Sequence, residues 1–365
     1  MDERAKLRRA RRIVIKIGSR TLASDAEVYG RIARAVAGAR REGRSVVIVS
    51  SGAIALGVKR LGWKSRPRQM AALQAAAAAG QTALMLRYEQ PFRENGIAVA
   101  QVLLTHADLA DRLRGNNARA ALGALLERGA VPILNENDSV SVEEIKFGDN
   151  DQLAALVAPL VDADLLILLS DVDGLTTKEG SRIGIVKDIA AEAVPHVRAP
   201  TRGDAKIGTG GMTSKLDAAR TGTRSGAHVV IANAAQAGVV ESILAGDDVG
   251  TLFTASPTPL SAKKCWIAFT LRPRGGILLD RGATLAVVAR GKSVLPVGVV
   301  GVRGDFRAGD AVRIIGADGA EIGRGLVRCT AADASRVAGR SADELAGSDG
   351  ALSVLVHRDD LVVER

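Results

Sequence analysis

Residues 13–18 read Ile-Val-Ile-Lys-Ile-Gly, a short β-branched run that encloses one lysine and ends in glycine. Runs of this kind form strands. Working outward, residues 46–50, 97–105, 131–134, 163–170 and 228–232 read the same way. Between them lie helical patterns. Val28, Ile32, Val36 and Ala39 recur at spacings near four across 27–41, which stops at Gly43. Further helices are expected at 69–88, 116–128, 150–161, 212–226 and 238–245. Continuous apolar strands alternating with amphipathic helices specify an α/β three-layer αβα sandwich around a mainly parallel sheet. Such sheets bind ligands beyond the carboxyl ends of their strands. The chemistry is therefore expected just after each strand.

The pattern runs from 13 to about 255 and then changes. Residues 256–274 carry Pro257, Pro259 and Pro273 with Lys263, Lys264, Arg272 and Arg274 and no acid, which reads as a linker with a short strand at 266–271. Beyond it, short runs with Gly turns at 276–279, 286–288, 297–300, 311–315, 325–327 and 353–356 indicate a small, mostly β domain, with one helix near 331–338. The expected plan is a basic lead-in at 1–12, an α/β domain at 13–255, a linker at 256–274 and a β domain at 275–365. A chain of 365 residues suits two domains.

Composition narrows the function classes. Two cysteines, Cys265 and Cys329, make neither a disulfide framework nor a zinc site, and four scattered histidines have no metal-ligand spacing. No apolar run reaches the roughly 18 residues of a membrane helix. A cytoplasmic protein with no membrane role is expected. The formal charge is +10, but it is unevenly placed. The lead-in and the linker each contribute +4, the 13–255 body +2 and the 275–365 domain zero. That last domain also lacks Trp and Tyr. Base stacking needs aromatic rings, so nucleic acid is a secondary partner.

The strand ends are chemically dense. Lys16 sits inside an apolar strand, where a charge is costly unless paired; the ordinary alternative is a lysine snorkelling to solvent. Ser50-Ser51-Gly52 turns into a helix whose amides could hold an anion or simply be N-capped. Asn135-Glu136-Asn137-Asp138 follows one strand, and Gly148-Asp149-Asn150-Asp151 opens the next helix. Carboxylates and amides suit an amino acid's ammonium group, or the organisation of metal and lysine beside phosphates. Ser170-Asp171 follows the longest buried strand. Gly208-Thr209-Gly210-Gly211-Met212-Thr213-Ser214-Lys215 enters a helix, with glycines for close approach to phosphate and a lysine for charge. The residue order fits neither a Walker A loop nor GxGxxG. Lys16 with this loop makes phosphoryl transfer the leading reaction class. HExxH, GxSxG and a cysteine–histidine pairing are all missing from the sequence.

In order, IVIKIGS, IVSSGAIALG, PILNENDSV, IKFGDND, LLSDVDGL and GTGGMTSKL resemble the glutamate 5-kinase (gamma-glutamyl kinase) family of the amino acid kinase superfamily. VGTLF at 249–253 and VHRDDLV at 356–362 resemble that family's C-terminal portion, which ends in a PUA domain. The resemblance implies the amino acid kinase fold and ATP-dependent phosphorylation of the L-glutamate γ-carboxylate to L-glutamyl 5-phosphate, the first step of proline biosynthesis. It implies Mg2+ with the ATP. Carried over by position, Lys16 and Lys215 stabilise the transferring group and Asp151 orients them. Ser51, Gly52, Asn135, Asp138 and Asn150 surround glutamate. Lys16, Ser170, Asp171, Thr209, Gly210, Gly211, Met212, Thr213, Ser214 and Lys215 contact ATP. It further implies proline as an inhibitor acting near 139–147, and a homo-oligomer. Departures are Ser19 for a common Thr, Thr176 for a common Tyr, and Lys263-Lys264-Cys265 before Trp266. Rival readings are an amino acid kinase with another acceptor, an RNA-binding protein, and a catalytically dead regulator on the same fold.

Overall fold

The computed structural model describes residues 2–25, 27–140, 150–197, 211–345 and 352–364. The chain divides into two units, Met1–Pro259 and Leu260–Arg365.

The first unit is built on eight strands: β1 (Arg12–Ile17), β2 (Ser45–Ser50), β3 (Val99–Leu104), β4 (Val131–Glu136), β5 (Leu165–Ser170), β6 (Ile185–Val186), β7 (His228–Asn233) and β8 (Thr251–Phe253). Their order is β3-β4-β2-β1-β5-β7-β8-β6, with every pair parallel except β7 and β8. Register aligns the strand ends. Lys16 pairs with Val49 and Leu168, Ile17 with Ser50, Asn135 with Leu103 and Ser170 with Asn233. The polar residues therefore finish along one edge of the sheet.

Side chains alternate across a strand. Ile13, Ile15 and Ile17 face a core shared with Ile48, Ile133 and Leu169 and with helices Val28–Arg41 and Met70–Glu94. Val14 and Lys16 face the other way. Helix Asn150–Leu160 packs over β1, β2, β4 and β5 and against helix Met212–Arg224. Helices Ala53–Arg60 and Met70–Glu94 meet backbone to backbone, because a Cβ at Gly80 would lie 1.8 Å from the Ala53 carbonyl oxygen.

Half of the basic lead-in is embedded in this unit. Arg4–Arg9 form a 3-10 helix with Leu7 fully buried. The buried Arg4 guanidinium donates to the carbonyls of Gly184, Asp247, Val249 and Gly250 at 2.8–3.1 Å and pairs with Asp248. Five donors in a rigid fork suit this carbonyl cluster.

The second unit holds β9 (Gly275–Leu279), β10 (Val299–Gly304), β11 (Ala311–Ile315), β12 (Glu321–Val327) and β13 (Val356–Val363), in the order β10-β9-β11-β12-β13. Only β9 and β11 are parallel. Helix Ala331–Val337 is where the sequence placed it. Two expected strands are helical instead. Residues 286–288 lie in helix Arg281–Arg290, which Asp280 caps through the Ala283 amide and Gly291 closes in the left-handed region. Residues 266–271 lie mostly in a wide helical turn, Trp266–Thr270, that continues Ala262–Cys265. There the alternation of Ile267 and Phe269 imitates a strand, while the Ser261 cap on Lys264 starts a helix.

Arg4→Ala should lower stability by about 2–4 kcal/mol, since charged hydrogen bonds are worth more than neutral ones. Urea unfolding of the intact chain measures this, and an unchanged midpoint would show that Arg4 holds nothing in place.

Candidate active site

Three charged side chains meet beneath the edge where the strands end. Lys16 comes from β1, Asp151 from the first turn of helix Asn150–Leu160, and Lys215 from the first turn of helix Met212–Arg224. Lys16 Nζ lies 2.5 Å from Asp151 Oδ1, and Lys215 Nζ donates to Asp151 Oδ2 at 3.0 Å. Asp151 has no solvent exposure, and both lysines are buried. Burial alone would push the Asp151 carboxyl up, but the two ammonium groups outweigh it and hold it below the usual carboxylate range. One carboxylate between two lysines leaves one positive charge in excess among the three. Both helices also present their N-termini near this point, where unsatisfied amides favour anions. The net positive charge and the two helix N-termini make the arrangement electrostatically suited to an anion.

A second cluster, made of amides and hydroxyls, lies at the ends of β2 and β4. Asn150 Nδ2 donates toward the Ser50 carbonyl at 2.8 Å, Ser51 Oγ at 2.8 Å and Asn135 Oδ1 at 3.1 Å. The Glu136 amide also donates to Asn135 Oδ1, at 2.9 Å. Gly52 follows Ser51 at φ +100°, a conformation that glycine adopts without a Cβ penalty, and opens helix Ala53–Arg60. Asp138 lies just beyond β4 and is half-buried. Burial raises its carboxyl above the usual range, and Arg66 offsets part of that.

On the other side of β1, Ser170 ends β5 and donates through Oγ to Asp171 Oδ1 at 3.0 Å. Asp171 is exposed and pairs with Arg20, whose hydrogen bond holds its carboxyl below the usual range. The turn that follows is fixed to β8 by the Leu175 amide, which donates to Thr251 Oγ1. Thr176, where the resembling family often has Tyr, is exposed. Gly211 caps helix Met212–Arg224, and Met212, Thr213 and Ser214 form its first turn with Lys215. Thr209 and Gly210 lie outside the described residues, as does most of 139–147.

The structure thus brings together Lys16, Asp151 and Lys215, and separately Ser51, Asn135 and Asn150. Sequence reasoning missed Gln81, Tyr88 and Arg20. Tyr88 Oη donates to Ser50 Oγ, and Gln81 Oε1 accepts from Asn135 Nδ2. A signal existed: Gln81, Leu84 and Tyr88 share one helix face at spacings of three and four.

A sheet with polar groups at its carboxyl edge and a buried lysine–carboxylate–lysine cluster fits a phosphotransferase scaffold. Comparison with known proteins is specific. Residues 11–233 match the amino acid kinase family and residues 275–347 match the PUA domain. A Myxococcus xanthus protein named glutamate 5-kinase is 46% identical, over 99% of this chain and 98% of its own length. Proteins of the same name from Cupriavidus pinatubonensis (45% identical, 97% of this chain and 98% of its own length) and Thioalkalivibrio sulfidiphilus (44%, 99% of each) agree. The chain belongs to the amino acid kinase family and is a kinase that carries a PUA domain.

Since the folded Asp151 carboxyl titrates below its unfolded value, its stabilisation is present at neutral pH and is lost as pH falls through the folded pKa. Asp151→Asn should lower the urea midpoint near pH 7 and flatten its decline at acid pH below the ordinary carboxylate range. An unchanged midpoint and an unchanged slope would contradict the ion cluster.

Proposed function

We propose that the protein phosphorylates the γ-carboxylate of L-glutamate with ATP, giving L-glutamyl 5-phosphate and committing glutamate to proline synthesis. The observation that carries this reading is the Lys16–Asp151–Lys215 cluster beside the Ser51–Asn135–Asn150 amide cluster. A positively charged phosphoryl clamp adjoins groups suited to an amino acid. The near-full-length similarity to proteins named glutamate 5-kinase supports the acceptor.

The chemistry needs few protein groups. Glutamate's γ-carboxyl, with a pKa near 4.3, is ionised at neutral pH and needs no general base. One of its oxygens attacks the γ-phosphorus of ATP. The bond to the bridging oxygen breaks, and ADP leaves with the electron pair. Two anions must approach, so electrostatic compensation and positioning dominate the barrier. Lys16 and Lys215 supply the compensation, and Asp151 keeps their ammonium groups converged. Magnesium would come with the nucleotide as MgATP and would supply neutralisation of phosphate charge; among the described residues no three or more His, Cys, Asp or Glu gather where a metal could be held. Ser51, Gly52, Asn135, Asp138 and Asn150 hold glutamate, with Asp138 facing its ammonium. Ser170, Asp171 and the turn from Gly211 to Ser214 contact the nucleotide, joined by Thr209 and Gly210.

We read proline as a feedback inhibitor, the active form as a homo-oligomer and the setting as cytoplasmic. Among the described residues no helix is long and apolar enough to cross a membrane. The PUA domain fits nucleic-acid binding. Its balanced charge and lack of Trp and Tyr make that a secondary role.

ADP release measured with glutamate, aspartate, acetylglutamate and UMP, with and without proline, tests the reading. Glutamate alone should support turnover, and proline should depress it. ADP release that ignores glutamate would overturn the assignment. Lys215→Ala should cost about 10²-fold or more in kcat, by analogy with losing one preorganised charge-stabilising donor. Near-normal turnover would remove Lys215 from the mechanism. Asp138→Ala should raise the glutamate KM far more than the ATP KM. In the intact enzyme the glutamate KM should climb as pH falls through the raised Asp138 pKa, because a protonated carboxyl no longer attracts ammonium. A glutamate KM that stays flat across that range would contradict this contact.

A further inference from the structure

The buried face of helix Met70–Glu94 should be apolar throughout, and at Ala77, Leu84 and Phe92 it is. Gln81 and Tyr88 break the pattern, and both reach strand ends beside the amide cluster. The direction of the amide chain is fixed at both ends by backbone groups. The Glu136 N–H donates to Asn135 Oδ1, so Asn135 Nδ2 must point away and donate elsewhere. It finds Gln81 Oε1 at 2.9 Å. At the far end the Ser50 carbonyl requires a donor, so Asn150 presents Nδ2 to it. The same Nδ2 meets Asn135 Oδ1 and Ser51 Oγ.

Two consequences follow from this polarity. Asn150 Oδ1 faces no donor among the described residues and stands as an acceptor, and the Ser51 hydroxyl, accepting from Asn150, keeps its proton for donation. At the other end Gln81 Nε2 is buried with no hydrogen-bond partner among the described residues. A buried donor left unpaired is costly, and in native structures such groups call for a specific reason. The close approach at Gly80 holds the helix where Gln81 meets Asn135.

We propose that Gln81 is a positioning residue for the amino-acid substrate: by anchoring Asn135 Nδ2 it holds in place the Asn150 amide, whose direction the backbone sets, so that Oδ1, with Asp138, receives the substrate ammonium while the Ser51 hydroxyl serves a carboxylate. This rests on reading the site as a glutamate site. Gln81 touches no reacting atom and acts only by holding in place two amides whose direction the backbone sets.

The test compares steady-state KM values for L-glutamate, for glutarate, which lacks the ammonium, and for ATP, using the full chain. Gln81→Met and Gln81→Asn, which remove or shorten the acceptor, should raise the glutamate KM on the order of tenfold, the effect of about one hydrogen bond. The ATP KM should stay within about twofold, and the preference for glutamate over glutarate should shrink, because what is lost is binding to the ammonium. Gln81→Glu keeps an acceptor toward Asn135 and should restore most of the preference. If Gln81→Met fails to fold, the smaller Gln81→Asn change carries the test alone. A rise shared equally by glutamate, glutarate and ATP would overturn the proposal as mere loosening, and an unchanged preference in Gln81→Asn would overturn it outright. Wild-type enzyme that shows no glutamate-dependent ADP formation would instead overturn the glutamate reading, before any variant is compared.

Discussion

Asp151 stands between two lysines in a place that water does not reach, and the first unit of the chain is arranged around it. Three charges without solvent are costly unless each is paired and hydrogen-bonded. Here one carboxylate serves two ammonium groups, so pairing is incomplete by design of the charge count. The excess positive charge makes the cluster weak as a structural ion pair and well suited to an incoming phosphoryl group. Its geometry depends on the whole sheet. Lys16 is fixed by register between Val49 and Leu168, and the two partners stand on separate helices that must reach the same edge. Shifting β1 by one residue would turn Lys16 into the opposite core.

The two faces of the sheet divide the polar groups by type. Lys16 looks toward the side covered by helices Asn150–Leu160 and Met212–Arg224, and charge collects there. Ser50 and Asn135 look toward helix Met70–Glu94, and neutral hydrogen bonds collect there. Asn150 and Asp151, adjacent in sequence, join the two systems at one helix start. In the proposed reaction this junction is where the amino acid's carboxylate meets the nucleotide's phosphate.

Much of this was legible in the sequence because the background was plain. A lysine in Ile-Val-Ile-Lys-Ile and a Gly-rich turn ending in Lys215 stand out against apolar strands. The strand-to-helix alternation also gave the parallel sheet. Arg4 was hidden in a run of basic residues that reads as solvated; only tertiary structure distinguishes the one that meets four carbonyls. Gln81 was overlooked because the Ala-rich helix reads first as helix formation, and its shared face with Leu84 and Tyr88 shows inward placement only once those two are known to be buried. In the second unit, 286–288 read as a strand from local β-branching, while the Asp280 cap and the Gly291 stop decided for a helix. Caps outweighed pattern there.

The most direct measurement of the clamp is the single-turnover rate of phosphoryl transfer in Asp151→Asn, with both substrates saturating and ATP affinity measured alongside. A carboxylate that converges two lysines on the reacting group requires the transfer step to fall about 10²-fold or more while ATP affinity changes far less. A transfer rate close to that of the wild type would contradict the central role given to this ion cluster.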